Sequence, residues 1–327
     1  MGYGGFSPMY IGSVRFFKHL ILTVLALLII IPTIGCVYFA TQYNTLKNLN
    51  TEIALELEIL ASFAAEFDQP ADQVEPVESS EAGRDAYRDA SSGANRMDGP
   101  VPYQMMHPHL FIENDFQFID VTERTVYLTF DDGPTVLTPQ VLDILKDRGV
   151  TATFFVVYSR GEFAETMYRR IVDEGHVLAL HSASHDYRLI YSSVEAFLDD
   201  FARLSDMLEE VTGVKPELFR FPGGSNNSFI RGIQQEVIAE LLRRGYTFYD
   251  WDVSSGSATP TASASSVYSN VINGVSARQR AIILMHDAGT SATVAALPRI
   301  IDTLATSGYQ FKALDKTVRP TFFNYLD

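Results

Sequence analysis

From residue 120 onward the chain alternates short apolar runs with amphipathic stretches. Val126-Tyr127-Leu128-Thr129-Phe130 predicts a strand, and Pro139 to Arg148 predicts a helix whose Val141, Leu142 and Leu145 share one face, with Gly149 just past its end. Ala152 to Val157 predicts the next strand. The cycle repeats with helices over 163–174, 194–212, 231–244, 265–275 and 293–307, and strands over 176–180, 217–221, 246–252, 281–285 and 309–314. Strands that are apolar on both faces and separated by helices imply a mostly parallel sheet with covered faces. A barrel or a doubly wound sheet satisfies this pattern. Either gathers its chemistry at the carboxyl ends of the strands.

The first hundred residues follow a different pattern. Leu20 to Ala40 carries no charge, and its 21 residues, at about 1.5 Å each, match the roughly 30 Å of a bilayer's hydrocarbon layer. Arg15, Lys18 and His19 precede the run, and no basic residue follows until Lys47. The positive-inside rule therefore places residues 1–19 in the cytoplasm, residues 20–40 across the membrane as a single-pass signal anchor, and the rest outside. Cleavage is the alternative, since Thr33-Ile34-Gly35-Cys36 loosely resembles a lipobox in which Cys36 is lipidated. Leu46, Leu49, Ile53, Leu60, Phe63 and Phe67 form a short heptad-like stripe broken by Glu56. Residues 41–67 read as a helical stalk, either solitary or a weak homodimer contact over 46–67. Residues 68–119 read as an acidic linker and lead-in, residues 120–316 as the catalytic domain and residues 317–327 as a tail.

Charge supports this division. Of the net −15, residues 1–50 contribute +3, residues 51–98 contribute −9 and residues 99–327 another −9. The middle share, set among Ser, Ala, Gly and Pro, suits an extended solvated tether. Such an acidic chain has no basic footprint for nucleic acid. A single cysteine, Cys36, excludes an intrachain disulfide and a thiolate zinc cluster.

Polar residues collect at the expected strand ends. These are Asp131-Asp132-Gly133-Pro134, His181-Ser182-Ala183-Ser184-His185, Arg220-Phe221-Pro222-Gly223-Gly224, Asp250-Trp251-Asp252 and His286-Asp287. Adjacent carboxylates at a buried strand end need a cation or hydrogen-bond donors. Two histidines with three residues between them can turn toward one point, and with a carboxylate they make a metal site that leaves positions open for water and substrate. Each fragment alone has an ordinary structural reading: a turn, a cap, two surface side chains. Their joint placement favours a site. Trp251 reads equally as core or substrate wall, and His107 and His109 as loop residues.

These motifs, in this order over Thr125 to Lys316, resemble the polysaccharide deacetylases with a NodB-homology domain, carbohydrate esterase family 4. Thr129 to Pro134 is similar to the first motif, His181 to His185 to the second, Arg220 to Gly224 to the third and Leu284-Met285-His286 to the fifth. The resemblance implies an α/β fold, a distorted (β/α)7 barrel. It also implies that Asp132, His181 and His185 hold a divalent ion, with Zn2+ first and Co2+, Mn2+ or Ni2+ as alternatives, which polarises the acetamide carbonyl and acidifies water. On the same ground Asp131 is the base, Arg220 orients it and His286 is the acid. Phe221, Pro222, Gly223, Gly224, Trp251, Asp252 and Leu284 are then the substrate-binding residues. The fourth motif departs from the family: where an Asp normally supports the catalytic histidine, the sequence has Ser257 and then Ala258. Either Asp252 or Asp287 substitutes, or the enzyme is slower or works at a different pH.

The resulting expectation is a membrane-anchored, metal-dependent hydrolase removing N-acetyl groups from an extracellular glycan. Peptidoglycan is the favoured polymer, at N-acetylglucosamine or N-acetylmuramic acid. Chitin-like oligosaccharides, an exopolysaccharide, a small-molecule C–N amidohydrolase and a catalytically impaired glycan-binding homologue are the alternatives.

Overall fold

The computed structural model describes residues 101–289 and 291–323, together with Ile21. Apart from Ile21, these belong to the second of two units, which divide between Glu78 and Ser79. The expected cytoplasmic segment, anchor, stalk and first part of the linker (to residue 100) lie outside the described residues, except for Ile21 in the anchor. Among the described residues no helix is long and apolar enough to cross a membrane.

Among the described residues eight parallel strands carry the fold: β1 (Thr125–Asp131), β2 (Thr153–Val157), β3 (Val177–Ser182), β4 (Leu218–Phe219), β5 (Thr247–Phe248), β6 (Val253–Ser254), β7 (Arg280–His286) and β8 (Gln310–Phe311). Their order is β5-β4-β3-β2-β1-β7-β6, with β8 beside the start of β1. Among the described residues no pair joins β5 to β6, so the sheet is an open, barrel-like (β/α) array. Helices α1 (Thr138–Asp147), α2 (Glu162–Asp173), α4 (Val194–Thr212), α5 (Gln234–Arg243), α6 (Ala264–Val275) and α7 (Ala292–Thr306) connect successive strands, and a short α3 (Tyr187–Ile190) follows β3. All seven residues of β1 are buried, as a strand flanked on both edges and covered on both faces requires.

Helix α4 matches its expected bounds because both ends are marked in the sequence. Ser193 accepts a hydrogen bond from the Ala196 N–H at the start, and Gly213 takes φ +72° at the end. The strands expected over 217–221 and 246–252 shrink to two paired residues each. The chain leaves the ladder there because its polar groups bond elsewhere: Asp250 N–H donates to Thr321 O, and Asp252 N–H to Ile282 O. Helix α5 begins three residues late, after a turn in which Asn227 Oδ1 accepts the N–H groups of Phe229 and Ile230.

The folded unit also extends past the expected 120–316. In the lead-in, Leu110 is wholly buried in the main core, and the buried Arg244 donates to the carbonyls of Tyr103, Met106 and His107. Gly245 sits at φ +86° with Ile112 O so close that a Cβ would lie 1.9 Å from it, so only glycine fits. At the other end, the Phe323 N–H donates to Asp250 and its ring packs edge-on against Trp251, with centroids 4.8 Å apart. Apolar burial and main-chain pairing at both ends, which composition did not register, make residues 101–119 and 317–323 part of this fold.

Candidate metal centre

The register brings the carboxyl ends of β1 and β7 together, with Asp131 opposite His286. Residues paired across neighbouring strands face the same side of the sheet, so both project into one space. Asp131 is 3 % exposed, and its Oδ1 accepts from Arg220 Nη1 at 2.8 Å. Arg220 is fully buried and also donates to Thr129 Oγ1, Tyr249 O and Asp250 O, with its guanidinium 4.1 Å from the centre of the Phe155 ring. So many partners leave the guanidinium one orientation. They also compensate its burial, and it in turn neutralises Asp131.

Next in the chain, Asp132 takes φ +72°, and across the site His185 takes φ +52°. Non-glycine residues rarely adopt this region, and its cost is justified where a side chain must point in one direction. Asp132 Oδ1 lies 3.4 Å from His181 Nε2 and 3.2 Å from His185 Nε2, and the three ligand atoms fall within 4.8 Å of one another. Oδ1 is nevertheless buried without a hydrogen-bond partner. His181 is oriented from behind, its Nδ1–H donating to Arg220 O at 2.7 Å, so its Nε2 lone pair faces Asp132. Burial would raise the Asp132 pKa; the two imidazoles, in their protonated form, outweigh it and hold the carboxyl well below the usual range. For His181, burial acts downward, and Asp131 and Asp132 reverse it. An orphaned carboxylate oxygen facing two imidazole nitrogens, one of them tautomerically fixed, fits a divalent ion with an N,N,O donor preference.

The loop carrying His185 is held by a residue that motif reading missed. Asp200, on α4, accepts from Ser182 Oγ and from the N–H groups of Ala183 and Ser184, each at 2.7 Å. Beside Asp199 and close to Arg203 on an amphipathic helix, it reads in the sequence as one more solvent-facing charge. Tyr187 was missed as well; its ring centre lies 5.5 Å from that of His185, and its hydroxyl sits against Gly223.

The other side of the site departs from expectation. Asp252 accepts from the Ile282 N–H and Thr321 Oγ1 and faces Arg280; Asp287 accepts from Thr138 Oγ1 at 2.5 Å. Neither carboxylate bonds to His286. The residue that does is Ser257 itself, with Oγ 3.1 Å from His286 Nδ1. Burial lowers the His286 pKa despite the nearby Asp131 and Asp132.

The expected substrate residues divide. Phe221 is buried among Phe197, Phe219 and Phe248, which leaves its side chain no surface for a sugar. Asp252 is committed to the contacts just described. Pro222 offers its carbonyl to Tyr191 and Asn227, while Gly223 is exposed. Gly224 lies beneath Phe323 and Trp251, and Trp251 is half-buried. Leu284 is buried opposite Thr129, on the same face as His286.

A carboxylate held by a buried arginine beside an N,N,O metal-ligand set, at the strand ends of an open parallel array, defines a centre suited to hydrolysis. Comparison with known proteins specifies it further. Residues 119–241 match the family model "Polysaccharide deacetylase". YheN of Bacillus subtilis, assigned as a polysaccharide deacetylase, is 36% identical over 219 residues, 65% of this chain and 75% of that protein. The peptidoglycan-N-acetylmuramic acid deacetylase PdaA of Bacillus subtilis is 30% identical, over 61% of this chain and 73% of the relative. The catalytic domain of a peptidoglycan N-acetylglucosamine deacetylase from Eubacterium rectale superposes with a TM-score of 0.62 at 34% identity, covering 64% of this chain and 97% of that domain. The chain belongs to the polysaccharide deacetylase family, hydrolases that act on N-acetyl amide bonds.

Proposed function

We propose that this protein removes N-acetyl groups from peptidoglycan on the outer side of a membrane, with N-acetylglucosamine preferred over N-acetylmuramic acid. The observation that carries the reading is the pairing of the Arg220-held Asp131 with the ligand set Asp132, His181 and His185 at one end of the sheet. The choice of polymer rests on relatives named for both peptidoglycan sugars and on the apolar run at residues 20–40, read as an anchor.

Asp132, His181 and His185 would hold the ion, with zinc favoured by the N,N,O donor set. When bound there, a divalent ion supplies Lewis acidity to the acetamide carbonyl and to water. With Oδ1 held by Arg220, Asp131 is left with Oδ2, 4.0 Å from His181 Nε2, as its free oxygen for accepting the proton of the attacking water. Arg220 keeps that carboxylate in one orientation. His286, on the adjacent strand, supplies an N–H toward the departing nitrogen. The half-buried Trp251 and the exposed Gly223 border the space a sugar would enter.

The test is acetate release from N-acetylated peptidoglycan by the full chain, before and after chelation and on return of zinc. Release that is lost to chelator and restored by zinc is expected; absence of metal-dependent release would overturn the reading. In the same preparation, the chain should resist alkaline extraction from membranes, and recovery in the soluble fraction would remove the anchor.

A further inference from the structure

Ser257 occupies the position where the family's aspartate would support the catalytic histidine, and its hydrogen bonds can be counted. Its Oγ receives two donors: the main-chain N–H of His286 at 2.9 Å and Ser255 Oγ at 2.9 Å. Ser255 Oγ in turn accepts the Ser257 N–H at 3.3 Å, closing the pair on itself. Both serines are 1 % exposed. A hydroxyl has two acceptor sites and one hydrogen. With both acceptor sites of Ser257 used, its hydrogen remains, and among the described residues the one remaining neighbour is His286 Nδ1 at 3.1 Å. Nδ1 therefore accepts. The ring proton then sits on Nε2, because the hydrogen bond at one ring nitrogen sets the state of the other. An imidazolium would place an N–H at Nδ1 against an oxygen with no lone pair left to receive it, in a buried site where that mismatch is costly.

We propose that the Ser255–Ser257 pair holds His286 as a neutral imidazole protonated at Nε2, that His286 serves as a hydrogen-bond donor, and that Asp131 delivers the proton to the leaving amine. The proposal rests on the deacetylase reading above. A neutral imidazole that gave up its Nε2 proton would become an imidazolate, far too basic to form at neutral pH. The balance therefore closes through Asp131. Its Oδ2 takes one proton from water as the water oxygen bonds to the acetamide carbon. When the C–N bond breaks, its electron pair stays with nitrogen and the same proton passes from Asp131 to that nitrogen. The amine leaves, acetic acid remains and Asp131 is again a carboxylate, while His286 keeps its proton throughout. Ser257 is a positioning residue in this scheme.

The charges facing His286 are mixed. Asp131 and Asp132 on or next to β1 favour a second ring proton, while His181 on β3 and Arg220 beyond β4 oppose it. The loop after β6, which faces Nδ1, brings only the hydroxyls of Ser255 and Ser257.

The test is nitrogen NMR of the full chain labelled with 15N-histidine, without substrate, with His286 assigned by its loss in His286→Gln. A protonated Nε2 and a bare, hydrogen-bonded Nδ1 are expected at about pH 7; a doubly protonated ring or an Nδ1–H tautomer there would overturn the proposal. Ser257→Asp should give the ring its second proton at the same pH, and Ser257→Thr should keep the parent signature. A ring unchanged in Ser257→Asp would count against the serine's role. If that variant does not fold, Ser257→Ala takes its place, and the fixed tautomer should give way to a mixture; an unchanged ring would again count against it. In acetate release, His286→Gln, which retains an N–H but cannot deliver a proton, should lose about 10²-fold, less than Asp131→Asn loses. Equal losses would restore His286 as the proton donor. Because the ring is read without substrate, a parent that releases no acetate removes the functional reading and leaves the tautomer result standing.

Discussion

The two halves of the site use the same kinds of residue in opposite ways. On the metal side, from β1 to β4, charge is aimed inward. Arg220 grips Asp131, Asp132 faces two imidazoles, and Asp200 holds the His185 loop through three hydrogen bonds. On the proton side, at β6 and β7, the carboxylates turn away. Asp252 binds the Ile282 N–H and Thr321, Asp287 binds Thr138, and His286 is left to neutral hydroxyls. A carboxylate near a site therefore says little until its direction is known. One that is satisfied by backbone and hydroxyl donors is structural, however close it stands to a catalytic group.

If the metal side carries both ion and base, its residues separate by readout. Asp131→Asn should reduce kcat by about 10³-fold or more while metal affinity stays within a few-fold, because the amide cannot accept the water's proton but occupies the same space. Acetate release and competitive chelator titration measure the two quantities. An equal fall in both would move Asp131 into the ligand set and collapse the distinction between base and ligand. Asp200→Ala should give the reverse pattern. By freeing Ser182, Ala183 and Ser184 it loosens His185 and should weaken metal binding by about 10- to 100-fold, with activity recovering at higher metal concentration. Loss of activity that added metal does not restore would show that the loop does more than present a ligand.

What could be read in the sequence follows the same division. Asp131, Asp132, His181 and His185 were visible because a parallel array places strand ends together, and their spacing within each motif survives any detail of packing. Ser257 was visible as a departure, but its consequence was not. Sequence offers nearby Asp252 and Asp287 as substitutes, and only the side-chain directions show them committed elsewhere. Asp200 was hidden because it lies on a helix rather than at a strand end. Helix α4 could be bounded from Ser193 and Gly213, whereas β4 and β5 could not, since an apolar run continues after the ladder stops. The lead-in was read as linker because residues around Leu110 show no periodicity. Their attachment runs through Arg244 to backbone carbonyls, a contact across more than a hundred residues.

The smallest expected effect comes from Asp287, which joins the two halves. It belongs to the proton side by sequence, yet its Oδ2 lies against Gly133 of the loop that presents Asp132, where an added Cβ would sit 2.5 Å away. Burial pushes its carboxyl up to about 7 from the usual 3.8; Thr138 and Thr135 act in the other direction, and the charge of Asp132 adds to the rise. Between those two values the folded chain holds a proton that the unfolded chain has released, so this group's stability contribution is full below the lower value and is lost as pH rises through the upper one. Asp287→Asn keeps the shape and removes the titration. In urea unfolding followed from about pH 5 to pH 8, the parent should lose roughly 2 kcal/mol relative to the variant across the range, most of it by about pH 7, with the difference levelling off above that. Parallel profiles would mean that Asp287 is ionised and well solvated in the folded protein. The proton side would then hold a carboxylate charge beside Asp132, and hydroxyls alone would not account for a neutral His286.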